Sequence, residues 1–306
     1  MNRYLPLALF AALLAAACGP DNRGQDDADS LATEEVDTAG MAPPRLVEAW
    51  QLTEGLSRPE SALYDPTRDV VYVSNIVGDP SEADGKGYIM RVRPDGTVVD
   101  SAWVAGLDAP KGLAMFGDKL YVSDLDDLVE IDAGLGEVLN RYPGAGAQFL
   151  NDVTTDATGY VYVSDSKSDF VYRLRDTTFA VWLDDPMVRN PNGVYVHDNE
   201  LIIAAGDSTD RNRYLQRVSL DGTEIAPLHD RTPLGGIDAV EPDGRGGFFL
   251  SDWGAGTVSH VDGSGKVTAL LTLTKGTADF DYVPEQEMIY LPVMMSDRLV
   301  AYRVAY

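Results

Sequence analysis

Val71-Tyr72-Val73-Ser74 is followed 49 residues later by Leu120-Tyr121-Val122-Ser123 and then by Val161-Tyr162-Val163-Ser164. The same β-rich tetrapeptide returns, with substitutions, as Leu201-Ile202-Ile203-Ala204, Phe248-Phe249-Leu250-Ser251 and Ile289-Tyr290-Leu291-Pro292. Each run is rich in β-branched and aromatic residues and bounded by Gly, Asp, Asn or Pro, which is strand chemistry. About a dozen residues before each tetrapeptide stands one polar residue: Glu60, Lys111, Asn151, Asn192, Asp238 and Asp279. Their spacings are 51, 40, 41, 46 and 41, and a period near forty is the mark of a blade-by-blade β architecture.

A second run follows each tetrapeptide, as at Ile89-Met90-Arg91-Val92 and Val171-Tyr172-Arg173-Leu174, and most of these alternate apolar with polar residues. That is the pattern of a half-buried strand. Turn signals come next, among them Asp95-Gly96, Asp221-Gly222 and Asp262-Gly263, each leading into a fourth short strand. The unit is therefore a four-stranded antiparallel meander. One meander cannot bury both its faces, whereas six arranged radially bury one another. The expected fold is all-β, a six-bladed β-propeller over residues 46–306, with Leu46 to Leu52 completing the last blade beside Leu299 to Val304. No amphipathic helix interrupts the repeats, which disfavours alternating βαβ folds.

Two segments precede the repeats. Residues 1–17 carry Arg3 and an apolar run from Leu5 to Ala17, the pattern of an export signal. Ala15-Ala16-Ala17-Cys18 resembles a bacterial lipobox, departing from it at Ala15, and Ala15-x-Ala17 also suits ordinary signal cleavage. Cys18 is the one cysteine of the chain, so no intramolecular disulfide forms, and lipidation accounts for a lone thiol in an exported protein. Residues 18–45 hold seven acidic residues and few large apolar ones, as a disordered tether does. The expected location is that of a bacterial lipoprotein on the periplasmic side of a membrane or at the cell surface, touching the membrane only through a lipid on Cys18.

Charge narrows the partners. The chain has 24 Lys and Arg against 49 Asp and Glu, a net charge of −25. Residues 46–306 alone hold 21 against 42. Such a surface argues against nucleic acid, whose binding depends on cations that neutralise phosphate, and it repels anionic lipid headgroups. It raises the local concentration of divalent cations. A soluble monomer acting on a small molecule is expected.

In a propeller the turn into each innermost strand faces the central channel, so the six polar positions converge. Five of them offer oxygen. Glu60, Asn151, Asn192 and Asp238 make a set of two carboxylates and two amides suited to one hard divalent cation, Ca²⁺ first, with Mg²⁺, Mn²⁺ and Zn²⁺ as alternatives. A transition-metal site built on imidazole or thiolate is disfavoured, because His197, His229 and His260 share no blade position. Asn and Asp are also ordinary turn formers, so any one of these residues taken singly reads as structural.

Arg58-Pro59-Glu60-Ser61, Leu150-Asn151-Asp152-Val153, Pro191-Asn192-Gly193-Val194 and Gly236-Ile237-Asp238-Ala239-Val240 together resemble the motifs of the senescence marker protein, gluconolactonase and luciferin-regenerating enzyme family, to which diisopropyl fluorophosphatase is related. The resemblance runs from about residue 46 to 306, and Ala239 departs from it where the family has Gly. It implies that Glu60, Asn151, Asn192 and Asp238 hold a catalytic divalent ion, and that Asp238 acts as general base or nucleophile. The expected activity is metal-dependent hydrolysis of a lactone or related ester. Lys111 would hold an anionic group or leaving oxygen, and Asp152 and Asp279 would assist proton transfer. A Lys111–Asp279 salt bridge is the structural alternative for that pair. A lipid-anchored binding propeller with a structural metal is the alternative for the whole protein.

Other chemistries lack their residues. No Gly-x-Ser-x-Gly turn is present for a serine hydrolase, and no Gly-rich strand-to-helix loop for a nucleotide. Asp124-Leu125-Asp126-Asp127 lacks the EF-hand pattern and reads as a solvated turn.

Overall fold

A computed structural model describes residues 42–306. The export signal, Cys18 and all but the last residues of the tether lie outside the described residues. Among the described residues twenty-four strands follow in chain order, interrupted only by two single 3₁₀ turns, Pro284–Gln286 and Met294–Ser296.

Five sheets are consecutive meanders. The first is β2 (Pro59–Asp65), β3 (Val70–Asn75), β4 (Gly87–Val92) and β5 (Val98–Leu107). The second is β6 (Pro110–Phe116), β7 (Lys119–Asp124), β8 (Asp127–Asp132) and β9 (Val138–Pro143), and the third is β10 (Leu150–Thr155), β11 (Val161–Asp165), β12 (Phe170–Arg175) and β13 (Thr178–Leu183). The fourth holds β14 (Val194–His197), β15 (Glu200–Ala205), β16 (Tyr214–Ser219) and β17 (Ile225–Pro227), and the fifth β18 (Ile237–Pro242), β19 (Phe248–Asp252), β20 (Thr257–Val261) and β21 (Val267–Thr272). The sixth joins β22 (Asp281–Val283), β23 (Met288–Val293) and β24 (Arg298–Ala305) to β1 (Arg45–Leu52), which runs antiparallel to β24 from Arg45↔Ala305 to Leu52↔Leu299. This is a six-bladed β-propeller with four antiparallel strands to a blade.

The tetrapeptides are the second strand of each blade, and their position explains their composition. Val71, Tyr72 and Val73 are all fully buried, because both faces of this strand meet a neighbouring blade. Strands buried on both faces read as continuous apolar runs. The side chains divide by alternation: Val70 and Tyr72 pack with Leu120 and Val129 of the second blade, while Val71 and Val73 pack with Tyr290 and Leu299 of the sixth. The core is thus six radial seams, one between each pair of adjacent blades. Outer strands lose this burial, and β9 is largely exposed.

Asp124 is not the solvated turn residue expected. It is buried at the end of β7, where its carboxylate accepts the backbone N–H groups of Asp108 and Ala109 and pairs with Arg141 at 3.0 Å. Asn75, Asp165 and Asp252 stand at the same place in other blades and likewise accept N–H groups of the incoming loop, at Ser57, Gln148 and Gly236. In these four blades the residue that closes the tetrapeptide strand therefore clamps the loop that delivers the blade's own channel residue.

Candidate functional site

The channel residues are aimed by β-bulges. Pairing between the first two strands of a blade shifts register between Pro59 and Ala62, between Pro110 and Leu113, between Leu150 and Val153, and between Ile237 and Val240. The residues carried in these shifts are Glu60-Ser61, Lys111-Gly112, Asn151-Asp152 and Asp238-Ala239. A bulge bends its strand and re-aims a side chain, at the cost of an N–H group left out of the ladder. The Ser of the tetrapeptide satisfies that group in three blades: Ser74 Oγ accepts from Ser61 N at 2.9 Å, Ser164 Oγ from Asp152 N at 3.1 Å, and Ser251 Oγ from Ala239 N at 2.8 Å. In the fourth blade Asn192 N instead bonds Ala204 O regularly at 3.0 Å, and the tetrapeptide there ends in Ala. The departure at Ala239 is accommodated, since its methyl group is fully buried in the seam with the sixth blade.

Two glycines let the blades approach. A Cβ on Gly112 would lie 2.6 Å from Asn151 O, and one on Gly193 would lie 2.4 Å from Asp238 O. Neither position has room for a side chain, which is why Gly follows Lys111 and Asn192.

Glu60, Lys111, Asn151, Asn192 and Asp238 line one cavity of about 380 Å³, the size of a small-molecule site. All five are buried. Asn192 Nδ2 donates to Asp238 Oδ1, and Asn151 Nδ2 donates to Ser166 Oγ at 3.1 Å. Both amide nitrogens are thereby committed and both amide oxygens released. Glu60 Oε2, Asn192 Oδ1 and Asp238 Oδ2 are buried without any hydrogen-bond partner. Orphaned buried oxygens are costly unless something else satisfies them.

The remaining predicted residues lie elsewhere. Asp152 and Asp279 line a second cavity of about 320 Å³ with Glu241, Asp281, Tyr64 and Tyr195. Asp152 accepts N–H groups from Val153 and Val194, each at 2.7 Å, and Asp279 accepts from Ser61 Oγ at 2.6 Å. The Lys111–Asp279 salt bridge is not formed: Lys111 Nζ donates to Ala109 O at 2.9 Å and lies 4.4 Å above the centre of the Phe149 ring.

Electrostatics follow burial. The Glu60 carboxyl is held well above the usual range by burial and by Asp238, against the pull of Lys111. Burial raises Asp238 to about 6, while Arg213 and the Asn192 hydrogen bond oppose the rise. Burial also lowers Lys111 to about 8, with Glu60 resisting. Asp152 is pushed well up by burial despite its two backbone donors.

The donor chemistry of the first cavity fits a hard divalent cation. It is all oxygen, with two carboxylates and two amides, and three of its oxygens have no other partner. Among the described residues no group of three His, Cys, Asp or Glu side chains is placed to share an ion, which sets this mixed amide and carboxylate set apart from an imidazole or thiolate centre.

Sequence reasoning missed the walls. Ile76, Ser166, Trp253 and Met294 each stand two residues beyond the end of a tetrapeptide, so a second repeat position faces the same cavity. Phe149, two residues before Asn151, Pro80, Arg213, Gly236 and Gly254 complete the lining. Arg213 is spent on the scaffold, donating to Asn190 O at 2.9 Å, Ile237 O at 3.0 Å and Asn190 Oδ1 at 3.1 Å.

No family model matches the chain, and no curated protein matches it. Solved structures do. A gluconolactonase from Xanthomonas campestris superposes with a TM-score of 0.65 at 16% identity, covering 87% of this chain and 96% of its own. A candidate gluconolactonase superposes with a TM-score of 0.63 at 18% identity, covering 86% and 93%. A catalytically inactive variant of virginiamycin B lyase from Staphylococcus aureus gives 0.58 at 14% identity, covering 85% and 99%. At these identities the likeness is one of fold, and gluconolactonase and virginiamycin B lyase propellers are among the structural neighbours of this chain.

Proposed function

We propose that the protein is a divalent-metal-dependent hydrolase of lactones or related esters, gluconolactonase-like in chemistry. One observation carries the reading: Glu60 Oε2, Asn192 Oδ1 and Asp238 Oδ2, from three different blades, are left unpartnered and buried at one cavity. Glu60, Asn151, Asn192 and Asp238 would hold the ion, with Ca²⁺ the first candidate for an all-oxygen set and Mg²⁺, Mn²⁺ and Zn²⁺ to be compared. A divalent ion bound there supplies Lewis-acid polarisation of the substrate carbonyl.

The chain's own groups would do the rest. Asp238 is fixed through Oδ1 by Asn192, which leaves Oδ2 to take the proton of an attacking water or to attack directly. Lys111 uses one N–H on Ala109 O and keeps two for the substrate oxygen that gains charge. Asp152 and Asp279 belong to the other cavity, so any part they take in proton transfer would be relayed. The reading extends to location: export, with a lipid on Cys18 as the sole membrane attachment.

The test is hydrolysis of a panel of lactones by purified protein with and without EDTA. Turnover lost on chelation and restored by Ca²⁺ supports the reading. Turnover indifferent to chelator removes the metal from it, and metal retention with no turnover favours the binding propeller instead.

A further inference from the structure

We propose that the substrate of this cavity carries an alkyl or aryl substituent and is not a polyhydroxylated sugar lactone. The inference rests on reading the cavity as a lactone site and concerns what surrounds the oxygen floor. The walls are apolar: Ile76, Pro80, Phe149, Trp253 and Met294, brought by loops of four blades. Ile76, Met294 and Trp253 join Ala109 and Ala278 in an apolar cluster of their own, separate from the six seams between blades.

These walls are held in place. Trp253 Nε1 donates to Met294 Sδ at 3.3 Å, which uses the only donor of the indole. Lys275 Nζ lies 4.6 Å from the centre of the Trp253 ring, and Lys111 and Lys167 Nζ lie 4.4 and 4.5 Å from that of Phe149. Preset apolar walls bind an apolar group at little ordering cost.

The polar groups of the wall are largely engaged by the protein. Ser166 Oγ donates to Pro191 O at 2.6 Å and accepts from Asn151, and each Arg213 nitrogen has a protein acceptor. Beyond the oxygen floor, the side-chain N–H groups left for a ligand are two on Lys111 and one on each terminal nitrogen of Arg213, whose guanidinium is anchored to Asn190 and Ile237. A sugar lactone entering here would surrender water at several hydroxyls and regain few hydrogen bonds, whereas a site that reads hydroxyls needs a partner for each. An alkyl or aryl group instead leaves water for Phe149, Trp253 and Met294, and each buried methylene is worth about a four-fold gain in binding.

The experiment compares δ-gluconolactone with δ-lactones bearing propyl to nonyl chains, using the Ca²⁺-loaded protein. In parallel, binding of the inert 2-alkylcyclopentanones and of glucitol is followed by calorimetry. kcat/KM and ketone affinity should both rise about two- to four-fold per methylene until the cavity is filled, and Trp253→Ser or Phe149→Ser should flatten both slopes. Ketone binding that rises with chain length while no lactone is hydrolysed would uphold the apolar site and refute the hydrolase reading. Faster turnover of δ-gluconolactone than of every alkyl lactone, or ketone affinity independent of chain length, would overturn the proposal.

Discussion

Two cavities lined by carboxylates lie along this propeller's strands, and they differ in what the carboxylates are doing. In the second cavity three of the four acids are spent on the protein: Asp152 of the third blade holds Val194 N of the fourth, Asp279 of the sixth holds Ser61 of the first, and Asp281 holds Tyr64 N at 2.7 Å. These are staples between adjacent blades. In the first cavity Glu60 and Asp238 keep a free oxygen each, and the amides around them are turned so that their oxygens are free as well. A carboxylate that closes a hydrogen bond stabilises the ring. One that remains unsatisfied needs a ligand, and that contrast separates a candidate reactive centre from acidic residues of similar burial.

The largest effect should come from the unspent side. Asp238→Asn keeps the shape and the Asn192 contact but removes the charge, and lactone hydrolysis should fall by about 10³-fold, with the thermal midpoint of the metal-free protein unchanged or raised. Full turnover by this variant would break the assignment of roles. Asp152→Ala should do the opposite. It leaves Val153 N and Val194 N without their acceptor, which should cost about 2 kcal/mol of stability in denaturant unfolding, while the folded fraction retains most of its turnover. Abolished turnover with unchanged stability would move Asp152 from staple to chemistry.

The second cavity should also show itself in the pH dependence of folding. Burial raises Asp281 to about 6, with Glu285 adding to the rise and the Tyr64 hydrogen bond opposing it. Nearby, Glu241 is likewise driven well up, by burial first and then by Asp281 and Asp279. A carboxyl with its folded pKa above its unfolded value binds its proton more tightly in the native state. Its contribution is therefore full at pH below about 4 and lost as pH rises to about 6, by roughly 3 kcal/mol if nothing relaxes. Asp281→Asn keeps the acceptor for Tyr64 N and should raise the unfolding midpoint above pH 6 while leaving it near wild type at pH 4. An equal shift at both values would refute this origin. The smallest effect is expected at Ser251→Ala, which frees Ala239 N beside Asp238. A loss of about 1 kcal/mol in unfolding free energy should come with weaker Ca²⁺ affinity in a titration, and an unchanged affinity would show that the bulge holds its aim without Ser.

Much of this was legible beforehand. The six tetrapeptides, the second runs and the turn signals coincide with observed strands, because alternation and turn chemistry act over a few residues. The polar residue ahead of each tetrapeptide was visible as a repeat, and five of the six meet in one cavity. Asp279 does not, since the sixth blade starts with a short strand after it and its side chain turns to Ser61. Asn151 and Asp152 both fall in the register shift of β10, yet Asn151 lines the first cavity and Asp152 the second, and a bulge breaks the alternation from which a sequence pattern would assign their directions. The apolar walls were hidden differently. Ile76, Trp253 and Met294 keep a fixed offset from the tetrapeptides but share no residue type, and only their common destination makes them a set.

The sequence by itself determined the number of blades, the strands within them and the polar position that each blade offers the channel. These follow from local forces: the burial of both faces of the second strand, the period of the turns and the steric demand for Gly112 and Gly193. Only the tertiary structure decided which polar oxygens are free. Whether a carboxylate is a staple or an open ligand depends on a donor from another blade, as Val194 is for Asp152, 42 residues away in the chain. No local pattern carries that information, because a hydrogen bond is made or left unmade by what folding brings within about 3 Å.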